Sequence, residues 1–304
     1  MFRSLRLALA LFLSALALPL ITASVADASA KPSCVVSLSP TATETLFAIG
    51  AGPQVQAVDK DSDYPTTGLP TKRIDSLNPS VEAVIGICKT TAAHSAKPDL
   101  VIISYDANQI KEKLTAVGVK VIEQEPPLNL AGALDQIKRL GALTGHVTTA
   151  DALAASIKTT ITQDIASVPK HPGKILTAYY ELDTTYYSLT SSTFVGLLLK
   201  SLGVVNIADA QNTTADAGYP QLSAEYILSA DPKMIFLADT ICCKVSAATV
   251  AKRPGFSKIV AVKDGEVIGL NDNVASRWGP RLSLLMNQLT ASVKGALKNP
   301  KLWK

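Results

Sequence analysis

The sequence predicts an α/β protein made of two halves joined by one long α-helix. Three observations carry this expectation. Short apolar runs alternate with helical patterns from Val35 onward, the signature of parallel α/β layers. One segment, Thr148 to Val168, interrupts that alternation. Its apolar residues Ala150, Leu153, Ile157, Ile161 and Ile165 fall on one face at helical spacing, and a helix of this length runs about 30 Å. The halves also echo each other. Ser80-Val81-Glu82-Ala83-Val84-Ile85 matches Ser223-Ala224-Glu225-Tyr226-Ile227-Leu228. Each is followed by a proline-led strand, Lys97-Pro98-Asp99-Leu100-Val101-Ile102 or Asp231-Pro232-Lys233-Met234-Ile235-Phe236.

Residues 1–30 read as a secretory signal. Arg3 and Arg6 open it, Leu7 to Ile21 is apolar but short for a membrane span, and Ala26-Asp27-Ala28 and Ala28-Ser29-Ala30 offer cleavage boxes. An exported protein is expected, in the periplasm or at the outer face of the cytoplasmic membrane. The remainder divides into an N-terminal lobe over 31–146, a linker helix over 147–170 and a C-terminal lobe over 171–304. In the first lobe, Val35 to Leu38 is a strand, and Thr41-x-x-Glu44 then reads as a capping box that opens a helix. Gly50-Ala51-Gly52 follows a helix and lacks a third glycine, so it is no dinucleotide loop. Val55 to Val58 is a strand, Asp59 to Pro70 a polar loop, and a helix starts after Asn78-Pro79-Ser80. Strand Leu100 to Ser104, helix Lys111 to Val117 closed by Gly118, strand Val119 to Ile122 and helix Leu134 to Leu143 complete the lobe. After Pro169 and Pro172-Gly173 stop the long helix, alternation resumes at Lys174 to Tyr180 and ends in a helix over Leu282 to Leu297.

With 304 residues, 47% hydrophobic and 18% charged, the chain has material for a sizeable core and is neither disordered nor fibrous. The net charge of +4 includes Arg3 and Arg6, and no basic stripe exists, so no nucleic-acid partner is expected. Export permits disulfides among Cys34, Cys88, Cys242 and Cys243, with three pairings open. A vicinal bond between Cys242 and Cys243 is one of the open arrangements. The first Ser-x-Glu copy is followed by about nine extra residues, containing Cys88 and His94.

Motifs for catalysis are missing. There is no G-x-S-x-G elbow, H-E-x-x-H or P-loop, and Ser167-Val168-Pro169-Lys170 sits at a proline break without companion motifs. His94, His146 and His171 are dispersed, which gives no support to a metal site. No cofactor or catalytic residue is expected. Aromatic and polar residues instead gather at strand ends: Asp61-Ser62-Asp63-Tyr64-Pro65, Ser104-Tyr105-Asp106, Tyr180-Glu181, Thr185-Tyr186-Tyr187, Asp239-Thr240 and Arg277-Trp278. In parallel sheets ligands bind outside the carboxyl ends of strands, and two lobes facing each other make a cleft there.

The ordered set Val35 to Glu44, Asp63-Tyr64-Pro65, Ser80-x-Glu82, Lys97 to Ile102, Leu140 to Thr144, Ser223-x-Glu225 and Gly279-Pro280-Arg281-Leu282 resembles the helical-backbone substrate-binding proteins of ABC importers. These serve cobalamin, haem and ferric siderophores, and the set is most similar to the cobalamin branch. The resemblance implies two Rossmann-like lobes, one rigid linking helix and a ligand held between the lobes. It implies a cobalamin-like corrinoid as transported ligand, with haem or a ferric siderophore as the alternative. A metal-ion receptor or an exported hydrolase ranks below these. It implies permease docking through Glu82 and Glu225, since one carboxylate on each lobe would fix orientation on a two-fold permease, and exposed charges contribute little stability otherwise. A monomer is expected. Asp63 and Tyr64, with Arg277 and Trp278, match positions near the family's cleft. Tyr105, Asp106, Tyr186 and Asp239 join them from strand-end position. The tryptophans that line cobalamin pockets in the family are mostly absent, with only Trp278 and Trp303 present, and Trp303 is expected to anchor the tail.

Overall fold

The computed structural model describes residues 31–88 and 96–303. The expected signal segment and His94 lie outside the described residues.

The first half runs β1 (Val35–Leu38), α1 (Pro40–Ala48), β2 (Val55–Asp59), β3 (Arg73–Ile74), α2 (Val81–Ile85), β4 (Leu100–Ile103), α3 (Ile110–Ala116), β5 (Val121–Glu123) and α4 (Leu130–Thr144). Its five strands are parallel in the order β3-β2-β1-β4-β5. Helix α5 (Val147–Ser167) follows. The second half runs β6 (Leu176–Glu181), α6 (Phe194–Ser201), β7 (Val204–Asn206), α7 (Ala224–Ala230), β8 (Met234–Leu237), α8 (Ala247–Ala251), α9 (Val260–Asp264), β9 (Val267–Gly269), α10 (Asp272–Ala275) and α11 (Leu282–Lys298). Its four strands are parallel in the order β7-β6-β8-β9. The chain therefore reverses its winding between β1 and β4 in one sheet and between β6 and β8 in the other. A crevice opens at the carboxyl ends of such strand pairs.

The long helix sits where its apolar stripe demands. Ala150, Ile157 and Ile161 are buried, and Leu153 and Ile165 pack against the same core. That core is continuous across both halves. It joins Val35, Leu100 and Ile102 of the first sheet to Leu176, Tyr180 and Phe236 of the second through α4, α5 and α11. Gly141 of α4 allows α5 to approach closely, because a Cβ there would overlap Ala150 and the His146 carbonyl. Residues 31–304 accordingly form one compact unit. The outer face of each sheet has its own core, around Val101 and Ile103 in the first half and Tyr179, Ile235 and Leu237 in the second. Among the described residues no helix is long and apolar enough to cross a membrane.

Two local expectations change. The N-cap of α1 is Ser39, whose hydroxyl accepts from the Ala42 N–H, with Pro40 in the first turn. Glu44 is therefore no partner of a capping box and turns into the interior. The short strand β3 lies in a stretch that sequence alone left unassigned. Both disulfides are formed: the vicinal Cys242–Cys243 bond, and Cys34–Cys88, which ties the start of β1 to the end of α2 across 54 residues. Trp303 lies between the ammonium groups of Lys174 and Lys233, at 5.0 and 4.2 Å from its ring, and so fastens the tail.

Candidate ligand cleft

The two winding reversals face one another, and two adjoining cavities occupy the space. The larger, about 550 Å³, is lined mainly by polar and charged residues. Ser39, Pro40 and Thr41 enter it from the end of β1, Lys60, Asp61 and Asp63 from the loop after β2, and Ser104 from the end of β4, while Asn273 and Ser276 close the far side. The smaller, about 240 Å³, is apolar, walled by Tyr180, Leu182, Phe194, Tyr219 and Ala238 of the second half and Pro126 of the first. Ser276, Arg277 and Trp278 belong to both and form the partition.

A buried ionic clamp positions that partition. Arg277 donates through Nη1 to Glu44 Oε1 at 2.9 Å and to Asp63, and through Nη2 to the Asp61 carbonyl at 2.9 Å and to Asn273 Oδ1 at 3.1 Å. Arg281 donates from Nε to the other Glu44 oxygen at 2.9 Å and stacks its guanidinium 4.4 Å from the Tyr64 ring centroid. The Glu44 side chain is 0% exposed, and two guanidinium groups pair with it there. Trp278 Nε1 donates to Gln136 Oε1 on α4 at 2.8 Å. The segment after α10 is thus fastened to the first half at three side chains.

The expected site residues separate into two groups. Asp63, Arg277 and Trp278 line the cleft, whereas Tyr64 lines neither cavity and stacks against the Arg281 guanidinium. Tyr105 and Asp106 line neither cavity. The chain turns back after β4, Tyr105 is 67% exposed, and the Asp106 carboxylate accepts the Lys111 N–H at 2.9 Å to open α3. Tyr186 stacks on Phe256 with centroids 5.9 Å apart and packs against the outer core of the second sheet. Asp239 is fully buried and neither carboxyl oxygen has a hydrogen-bond partner. Burial first, then the neighbouring Glu181 carboxylate, pushes its pKa up to about 7. Glu181 itself holds Arg253 through two bonds of 2.6 Å. Tyr105, Asp106, Tyr186 and Asp239 thus lie outside the linings of both cavities: strand-end position gives the end of the sheet but not the direction in which a side chain leaves it.

Ser39, Lys60, Asp61, Asn273, Ser276, Tyr180 and Tyr219 complete the cleft. The sequence signal for Asp61 and Tyr180 was their place in the strand-end segments. The remainder carry no local signal.

Glu82 and Glu225 occupy equivalent places. Each stands exposed in the first turn of its helix, α2 or α7, behind a serine N-cap that accepts an amide N–H at 3.2 Å (Ser80) or 3.1 Å (Ser223). Neither carboxylate has a side-chain partner among the described residues. Cys34–Cys88 anchors the far end of α2. Among the described residues no group of three or more His, Cys, Asp or Glu could hold a metal ion.

Residues 35–274 match the sequence profile described as periplasmic binding protein. An ABC transporter substrate-binding lipoprotein of Bacillus subtilis is 29% identical over 272 residues, covering 86% of this chain and 80% of the relative. A cobalamin-binding protein of Halobacterium salinarum is 29% identical over 259 residues, covering 83% and 67%. The solved periplasmic vitamin B12-binding protein of Vibrio cholerae superimposes with a TM-score of 0.70 at 22% identity, covering 88% of this chain and 99% of that one. A periplasmic haem-binding protein of Roseiflexus superimposes with a TM-score of 0.71 at 20% identity, covering 87% and 99%. At these identities the two superpositions speak for the two-lobed fold.

Proposed function

The chain belongs to the periplasmic binding protein family, and from that premise we propose that it captures a cobalamin-like corrinoid outside the cytoplasm and delivers it to an ABC importer. The observation that carries the ligand reading is the cleft at the two facing winding reversals, divided by Trp278 into a hydrogen-bonding half and an aromatic half. A large, flat ligand edged with amides is served by both: rings and methyl groups against Trp278, Tyr219 and Phe194, amides against Ser39, Ser104, Asn273 and Ser276. Relatives named for cobalamin or vitamin B12 support the same ligand. Capture and release need no covalent step. A monomer suffices, since the described chain supplies both walls of the cleft.

Docking is assigned to Glu82 and Glu225, whose exposed carboxylates stand in the first turns of matching helices of the two halves and are free to meet cationic pockets on a permease. The test is vitamin uptake by cells carrying Glu82→Ala together with Glu225→Ala. Uptake should be lost while calorimetric affinity for cyanocobalamin is unchanged; wild-type uptake in that variant refutes the docking assignment.

Haem is the second reading. Tyr219, 45% exposed on the apolar cavity, offers a phenol that could ligate iron.

A further inference from the structure

Among the described residues, the polar cavity contains one carboxylate that no cation answers. Its ionisable lining residues are Lys60, Asp61, Asp63 and Arg277. Lys60 holds Asp75 at 2.8 Å. Arg277 is engaged by Glu44 and Asp63, and Arg281 behind it by Glu44. Arg73, in the same loop region, donates to the carbonyls of Asp59 and Ser62. Asp61 uses only its backbone: its N–H donates to Asp59 Oδ1 at 2.9 Å and its carbonyl accepts from Arg277. Its side chain is exposed in the cavity and has no hydrogen bond or ion pair among the described residues. The apolar cavity adds no ionisable cation besides the same Arg277.

We propose that Asp61 makes this cleft discriminate amides from carboxylates on the periphery of its ligand, favouring uncharged or cationic ligands over polyanionic ones. The proposal rests on the reading of the cleft as a corrinoid receptor and sharpens it. A ligand amide N–H donates to the Asp61 carboxylate in a charge-assisted bond, while a ligand carboxylate in the same place meets a like charge. Among the described residues each cation of the wall already has a carboxylate partner, so each such charge within several ångströms of Asp61 weakens binding about threefold to tenfold at low salt. An amide-edged corrinoid is accepted on this basis. The propionates of haem and the charges of an anionic iron chelate are opposed.

The experiment compares cyanocobalamin with cyanocobalamin whose peripheral amides have been hydrolysed to carboxylates, by calorimetry on the mature chain at low and high ionic strength. Wild type should bind the hydrolysed form at least about tenfold more weakly at low salt. The gap should narrow at high salt and in Asp61→Asn, a substitution on an exposed side chain whose unchanged melting temperature reports an intact fold. Equal affinity of wild type for both forms, or the same gap in Asp61→Asn, overturns the proposal while the receptor reading stands. If neither corrinoid binds, the corrinoid reading fails by itself, and haemin and its diamide make the same comparison. Preference for the diamide that Asp61→Asn reduces supports the charge selection; equal binding, or binding of neither, overturns it.

Discussion

Arg277 donates to the buried carboxylate of Glu44 at 2.9 Å, across 233 positions of sequence. This bond fastens the segment carrying Trp278 to the first half and thereby fixes the partition of the cleft. A buried pair of this kind adds little stability over an apolar replacement, because desolvation offsets the attraction, but losing one partner is costly. Glu44→Gln should therefore cost about 3–5 kcal/mol, read from urea unfolding, since it leaves Arg277 and Arg281 facing a neutral group. A loss under about 1 kcal/mol would show that water reaches the clamp.

Asp239 gives the protein a pH dependence of defined sign. Its pKa is raised to about 7 in the folded chain by burial and by Glu181. The folded state holds this proton where the unfolded chain has released it, so the site's contribution to stability is full at acid pH and is lost as pH rises toward and through about 7. Melting temperatures of wild type and Asp239→Asn, measured from pH 5 to pH 8, should differ in slope, with wild type falling more steeply. Parallel curves would mean that the proton is absent.

The Cys34–Cys88 bond closes a loop of 54 residues. Chain-entropy reasoning gives it about 4 kcal/mol as an upper figure. Cys34→Ser with Cys88→Ser should lower the unfolding free energy by about 2–4 kcal/mol. The same variant should also weaken permease docking more than ligand binding, because α2 and Glu82 lose their tether. Uptake and affinity measured together check this.

Gly141 tests the helix contact. Gly141→Ala places a methyl group against Ala150 and the His146 carbonyl. Overpacking of this kind should cost about 1–3 kcal/mol. A stabilised variant would show that α4 and α5 can separate freely.

What was legible in the sequence was what local chemistry determines. The stripe from Ala150 to Ile165 gave the joining helix, and the serine caps before Glu82 and Glu225 gave two equivalent helix starts. Glu44 shows the boundary. Thr41-x-x-Glu44 has the spacing of a capping box, yet Ser39 takes the cap, and Glu44 answers two arginines more than two hundred residues away. No local pattern encodes that. Strand-end position likewise brought in Tyr105, Asp106, Tyr186 and Asp239 alongside Asp63, Arg277 and Trp278. It cannot distinguish a side chain entering the cleft from one that caps a helix or turns beneath the sheet. The cysteine pairing stayed open because spacing does not choose among pairings.

The most direct test of the account is quenching of intrinsic fluorescence, titrated in parallel with cyanocobalamin, haemin and a ferric hydroxamate. Trp278 divides the cleft, so a ligand seated there lies against it, whereas Trp303 is held at the tail. Saturable submicromolar quenching by cyanocobalamin, lost in Trp278→Phe, is the predicted result. Saturable quenching by haemin or the hydroxamate with none by cyanocobalamin, or quenching that survives Trp278→Phe unchanged, would contradict it.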